Sequence, residues 1–251
     1  MKKKYLSGNF AFNTNVGRVR LSNEDRALAL TNSKGDVLLI VCDGMGGQNK
    51  GDLAASLAID VISEEFQNRS LSFINRAHAV FWLSKTVKKA NKTIFNESAR
   101  SEQYEGMGTT VTALLICKTY YVLAQAGDSR AYVLKDNCLE QISEDQTYVA
   151  YLYRTGQITK EQMATHSKRH VLMNAVGIYP SLNLDTLVAS YNNERILLCS
   201  DGLYNNVPHK DIENIMRNSD SVEQKVNELI HISNSNGGSD NVAVIVWETN
   251  E

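Results

Sequence analysis

The chain has 251 residues, 43% of them hydrophobic, with 26 basic and 28 acidic side chains and a formal net charge of −2. That composition supports a full globular core and excludes a disordered polyelectrolyte. The balanced charge gives no general attraction to nucleic acid or anionic lipid, and no apolar run approaches the ~20 residues that span a bilayer.

The segment from Met1 to Lys4 is basic, but the YLSGNFAFN that follows is too polar for a signal-peptide core, so a cytosolic protein is expected. An acidic pair, Glu24-Asp25, follows Arg20, with Asp25 five residues after it. The run VLLIVCDGMGG, Val37 to Gly47, then predicts a buried strand that ends in Asp43 on a glycine-rich turn. In DLAASLAIDVISEEF, Leu53, Leu57, Val61 and Ile62 share one helical face. Residues 71–98 predict a longer amphipathic helix with Phe73, Ala77, Phe81 and Ile94 toward the core, and KTVKKANK, 85–92, as an exposed face.

Further strands are predicted at 109–117, 120–126 and 130–134, and the short turns at 117–120 and 126–130 imply antiparallel pairing. Residues 145–180 are of mixed polarity and read as a small excursion from the sheets. There, His166 and His170 join Lys168 and Arg169 in a basic cluster that reads as a solvated face, with contact to a phosphorylated peptide as the alternative. Strands follow at 184–189 and 195–200, the latter running into Asp201-Gly202. Helices at 209–217 and 221–233 precede a last strand at 242–247. The order predicts an α+β protein of antiparallel sheet layers covered by helices, without a linker to divide it. None of Cys42, Cys117, Cys138 and Cys199 forms a CxxC pair, so free thiols are expected and a zinc knuckle is not.

A single Asp-Gly is an ordinary turn dipeptide. Here Asp43-Gly44 and Asp201-Gly202 each follow a very apolar run, Asp128 follows Gly127 after YVLAQAG, and Asp240 follows Gly237-Gly238 just before VAVIVW. Convergence of these carboxylates at one sheet edge would need a cation to neutralise it. The set is hard oxygen without His or Cys, which favours Mg²⁺ or Mn²⁺. Two such ions fit hydrolysis of a phosphate ester, and a guanidinium would complete the site as a bidentate phosphate clamp.

The ordered motifs RLSNED, VCDGMGG, GMGTTVTALLI, AGDSRAYVL, CSDGL and GGSDNVAVIVW resemble the metal-dependent protein phosphatases of the 2C family in their compact bacterial form. The resemblance runs from Arg20 to Trp247, nearly the whole chain. It implies a single domain over 1–251, built as a four-layer sandwich of two antiparallel sheets flanked by helices, with a flap over about 146–180. It implies that Asp43 bridges two metals, that Gly44 offers a backbone carbonyl, and that Asp201 and Asp240 hold the second ion. Asp25, with Glu24 beside it, would act mainly through water, and Asp128 with Asp201 would support a third, weaker ion. Arg20 matches the phosphate-binding arginine.

The implied activity is hydrolysis of phosphoserine and phosphothreonine in proteins by a metal-activated water, with Mn²⁺ or Mg²⁺ as cofactor. The implied partners are a cognate Ser/Thr kinase and its targets, with no nucleic acid, no membrane and a monomeric state. Departures from the family pattern are Met45 where eukaryotic members often carry a histidine acid, Gln146 and Asn174 in the flap, and Ser239 where proline is usual. Two other readings stay open at this point: a two-metal enzyme for small phosphates, which would lack a GxxxxGK[ST] loop here, and a catalytically dead binding relative, which should have lost ligands that this chain keeps.

Overall fold

A computed structural model describes residues 6–46 and 50–250. Gly47 of the VCDGMGG motif and the basic Met1–Lys4 segment lie outside the described residues.

Among the described residues, eleven strands build two sheets in which every pairing is antiparallel. One sheet runs β1 (Gly8–Asn15), β11 (Val242–Thr249), β10 (Arg195–Cys199), β7 (Arg130–Lys135), β8 (Cys138–Gln141). The other runs β2 (Asp25–Thr31), β3 (Val37–Met45), β5 (Val111–Cys117), β6 (Tyr120–Ala126), β9 (Asp185–Ser190), with the short β4 (Gly108–Thr109) paired to the end of β3. Side chains alternate across each strand, so one strand feeds two layers. Leu39 and Val41 of β3 meet Leu198 and Ile245 between the sheets, while Leu38, Ile40 and Cys42 face helices α1 (Lys50–Gln67) and α2 (Arg76–Ser98). On the far side Leu197, Val244 and Val246 pack under α5 (Asp201–Tyr204), α6 (His209–Arg217) and α7 (Val222–Ser235). Helix, sheet, sheet, helix is the expected four-layer order.

Several local expectations are corrected. Asp43-Gly44 is not a turn: β3 continues through both to Met45, because β4 gives the extra residues a partner, Gly44 opposite Thr109 and Met45 opposite Gly108. Asp201-Gly202 opens a short helix instead. The turn at 126–130 does not join paired strands. It carries the chain from one sheet to the other, since β6 pairs β5 and β9 while β7 pairs β8 and β10. In α2, Ala77 and Phe81 face solvent, and the buried stripe is Ala79, Leu83, Val87, Ala90 and Ile94. The helix starts later than the apolar pattern does, capped by the Asn75 side chain on the His78 amide, so Phe73 lies before it and cannot set its phase. In α1 the closest packing uses Ala54, Ala55, Ala58, Ile62 and Phe66, with Leu53, Leu57 and Val61 half-buried along the margin.

The excursion between β8 and β9 holds α3 (Tyr148–Arg154) and α4 (Lys160–Thr165). It returns to the body through backbone bridges Thr147–Leu172 and Thr109–Val176. No described helix is long and apolar enough to cross a membrane.

Candidate metal centre

The antiparallel register of β2 and β3 sets Asp25 directly opposite Asp43. A buried carboxylate opposite a half-buried one on the adjacent strand is a costly pairing, and hydrogen bonds hold the backbone around them. The Asp43 amide donates to Thr110 Oγ1 at 2.9 Å, and its carbonyl accepts from the Thr110 amide at 2.8 Å and Thr109 Oγ1 at 3.0 Å. Asp25 Oδ2 accepts from Ser200 Oγ at 2.6 Å, and the same hydroxyl accepts from the Ala243 amide at 2.8 Å. Ser200 therefore links β2 of one sheet to β10 and β11 of the other.

Asp201 follows at the start of α5, where its Oδ2 accepts from Asn205 Nδ2 at 3.1 Å. Asp240 precedes β11, and its Oδ2 accepts from Arg20 Nη2 at 2.7 Å. Asp128 sits in the sheet-crossing turn after Gly127, whose φ of +107° and contact with Thr110 leave no room for a side chain. Four elements from both sheets thus bring Asp43, Asp128, Asp201 and Asp240 to the wall of one cleft of about 740 Å³, with Arg20, Gly44 and Met45 beside them.

Each sequence-predicted site residue lies at this end of the sandwich, with one difference in depth. Asp25 is 1% exposed and sits behind the cleft, whereas Glu24 lines it. His170, expected on a solvated face, also lines the cleft from the excursion, along with Leu172. Three further residues organise the site. Thr110 fixes Asp43. Asn241 accepts the Glu24 amide at 2.9 Å and donates to the carbonyls of Val16 and Ser22, each at 2.9 Å. Arg130 grips Asp145 with Nε and Nη2, its guanidinium 3.5 Å over the Tyr204 ring, and Tyr204 OH donates to the Asp128 carbonyl at 3.2 Å. All three stand inside the quoted motifs, but a polar residue next to a carboxylate carries no signal of its own until the partner across space is known.

The electrostatics are those of an anionic pocket short of cations. Burial, then the charges of Asp25, Asp201, Asp128 and Asp240, push Asp43 well above the ordinary carboxylate range. Burial and then Asp128, Asp240 and Asp25 do the same to Asp201, opposed by Arg20. Burial raises Asp25 to about 7 against the Ser200 hydrogen bond, and raises Asp128 to about 6 with Asp145 adding and Arg130 opposing. Such a cluster is stable in its charged form when a cation shares it. Among the described residues no group of three or more His, Cys, Asp or Glu side chains is placed to hold one ion by itself. The carboxylates lining the cleft are hard oxygen donors, and Mg²⁺ is commonly bound by one or two carboxylates with the remaining positions left to water. The donor set therefore fits hard divalent ions.

Residues 17–245 match the family described as protein phosphatase 2C. The serine/threonine phosphatase stp of Listeria welshimeri is 36% identical over 240 residues, 95% of each chain. The crystal structure of serine/threonine phosphatase Stp1 from Staphylococcus aureus superposes with a TM-score of 0.92 at 30% identity, over 100% of this chain and 99% of that one. The catalytic domain of the serine/threonine protein phosphatase PstP, solved in complex with two manganese ions, superposes with a TM-score of 0.84 at 29% identity, over 98% and 100% of the two chains. With the family match over residues 17–245 and a relative 36% identical across 95% of its length, the chain belongs to the protein phosphatase 2C family.

Proposed function

We propose that this chain hydrolyses phosphoserine and phosphothreonine in proteins, using divalent ions held at the carboxylate-lined cleft. The observation that carries the reading is the convergence of Asp43, Asp128, Asp201 and Asp240 from four separate elements on one cleft beside Arg20. Asp43 and the Gly44 carbonyl would hold one ion and Asp201 and Asp240 a second, Asp43 being shared once the side chains close around both ions, and Asp128 with Asp201 would hold a weaker third. Asp25, buried opposite Asp43, supports the set through Ser200 and the register of β2. When bound, Mn²⁺ or Mg²⁺ supplies positive charge to the phosphoryl oxygens and lowers the pKa of an attacking water.

The protein's own groups do the rest. Asp240 steers Arg20 toward the cleft by its hydrogen bond, and the guanidinium binds phosphate oxygens. Met45 lines the cleft and has no proton to give, so protonation of the leaving oxygen falls to water or to another lining group. We read residues 146–180 as a flap that shapes access through His170 and Leu172, within one domain. Phosphate on protein hydroxyls is placed there by Ser/Thr kinases, so we assign a cognate kinase and its targets as the substrates. We place the protein in the cytosol as a monomer.

The test compares phosphate release from a phosphothreonine peptide and from a nucleoside triphosphate, each with Mn²⁺ and with chelator. Release from the peptide with Mn²⁺, abolished by chelator, is expected. Faster release from the nucleotide would move the assignment to small phosphates, and no release from either would make the chain a binding relative.

A further inference from the structure

We infer that loop 16–22 is a rigid recognition arm that selects phosphorylated segments carrying an apolar residue next to the phosphoamino acid. The inference rests on the phosphatase reading and deepens it. Val19, Arg20 and Leu21 all line the mouth of the cleft. Leu21 is fully exposed, and Val19 is 66% exposed. A lone exposed leucine needs no explanation. Two exposed aliphatic side chains next to the arginine that lines an anionic cleft form a pattern, because a segment whose phosphate reaches Arg20 comes close to both.

The loop is built to hold them out. The buried Asn241 carboxamide donates to the Val16 and Ser22 carbonyls, clamping both ends of the arm. The Arg18 amide donates to the Gly238 carbonyl at 2.8 Å. At Gly17, φ is +80° and a Cβ would meet the Asp240 carbonyl oxygen at 2.3 Å, so the arm is seated directly on the backbone of Asp240. Arg20 then returns to the Asp240 carboxylate. An arm fixed at both ends and in the middle cannot fold its apolar side chains inward, and a preorganised contact costs little entropy when a partner arrives.

Leu172 and Met45 also line the cleft, so it offers apolar surface besides the arm. The occupant that satisfies this surface is an extended peptide: phosphate toward Arg20 and the carboxylate floor, and an aliphatic or aromatic neighbour covering Leu21 and Val19. A free nucleotide or inorganic phosphate would leave the two aliphatic side chains uncovered.

The test uses paired phosphothreonine peptides that differ only in the residues flanking phosphothreonine, leucine in one and alanine or serine in the other. kcat/KM is measured with Mn²⁺ for the whole protein and for Leu21→Ser, Val19→Ser/Leu21→Ser and Leu21→Met. For the natural chain we expect the leucine peptide to be favoured about tenfold, the lower end of what an apolar contact discriminates. That ratio should fall below about twofold in the double serine variant and persist in Leu21→Met, where the apolar surface is kept. Because these side chains are exposed, a folding defect does not confound the ratio, which compares two peptides on the same enzyme. Equal rates on both peptides, or a ratio unchanged by the double variant, would overturn the inference and leave the phosphatase reading intact. Absence of hydrolysis of every phosphopeptide by the natural chain would overturn both. Concentration-dependent self-association lost in Leu21→Ser would assign the rim to a second copy of the chain and overturn the peptide assignment.

Discussion

Asp43 is the residue on which the centre turns, since it lines the cleft while its backbone is tied to Thr109 and Thr110 on the neighbouring strand. Asp43→Asn keeps the shape and removes the charge, so the fold should survive and turnover should fall below a tenth of the natural rate. Turnover and thermal unfolding with Mn²⁺ check this, and higher activity would remove Asp43 from the bridging role. Arg20→Ala loses a charge-assisted contact worth about 1.5–3 kcal/mol. Because a guanidinium binds phosphate alike in ground and transition states, the loss should appear as a raised KM with kcat little changed in steady-state kinetics. Asp128→Ala addresses the third ion. A calorimetric Mn²⁺ titration should keep the tight sites and lose a weak one, while kcat falls more on a phosphopeptide than on an aryl phosphate whose leaving group needs little help. Loss of all ion binding would show Asp128 to be a ligand of the main pair.

At the scale of elements, the long apolar runs announced their strands, but β1, β2 and β8 escaped notice. Each is short or half-exposed: the apolar run is only Phe10, Ala11 and Phe12 in GNFAFNTN and Ala27 to Leu30 in DRALALT, without the density of a buried strand. Their extended form comes from partners distant in sequence, β11 for β1 and β3 for β2. How α1 meets β3 is equally a matter of contact. A Cβ on Gly51 would stand 2.5 Å from the Gly44 carbonyl carbon and from Glu24 Oε2. Helix propensity alone predicts that Gly51→Ala stabilises by up to about 1 kcal/mol. Overpacking against backbone costs about 1–3 kcal/mol and wins. Chemical denaturation should therefore show net destabilisation, and turnover should drop because Gly44 and Glu24 must shift. A variant as stable and active as the natural chain would mean that α1 is free to slide at this end.

For the whole molecule the centre is a trade between stability and ion binding. Asp25 at about 7 and Asp128 at about 6 keep protons in the ion-free folded protein over a range where the unfolded chain has already lost them. The folded state then binds more protons than the unfolded one, so stability falls as the pH rises from the ordinary carboxylate range through those values. In chelator, the melting temperature should decrease between pH 5 and pH 8. Added Mn²⁺ should reverse the trend, raising the melting temperature more at pH 8, where the ligands are free of protons, than at pH 5. Differential scanning fluorimetry at matched ionic strength measures both slopes. A melting temperature in chelator that climbs toward pH 8 would show that the carboxylates are neutralised from within the protein.

The sequence by itself determined the layered α+β class, through apolar runs too dense for anything but buried strands, and the carboxylates of the centre, through their recurrence after those runs. Their place in ordered motifs named the family resemblance. Tertiary structure alone decided that Asp25 is buried opposite Asp43 while Glu24 lines the cleft, because the pairing of β2 with β3 brings them to this edge. It also decided that the turn at 126–130 crosses between sheets, and that Asn241 clamps an arm more than two hundred residues away along the chain. These are pairings across space, set by which strand finds which partner, and no local pattern of residue types encodes them.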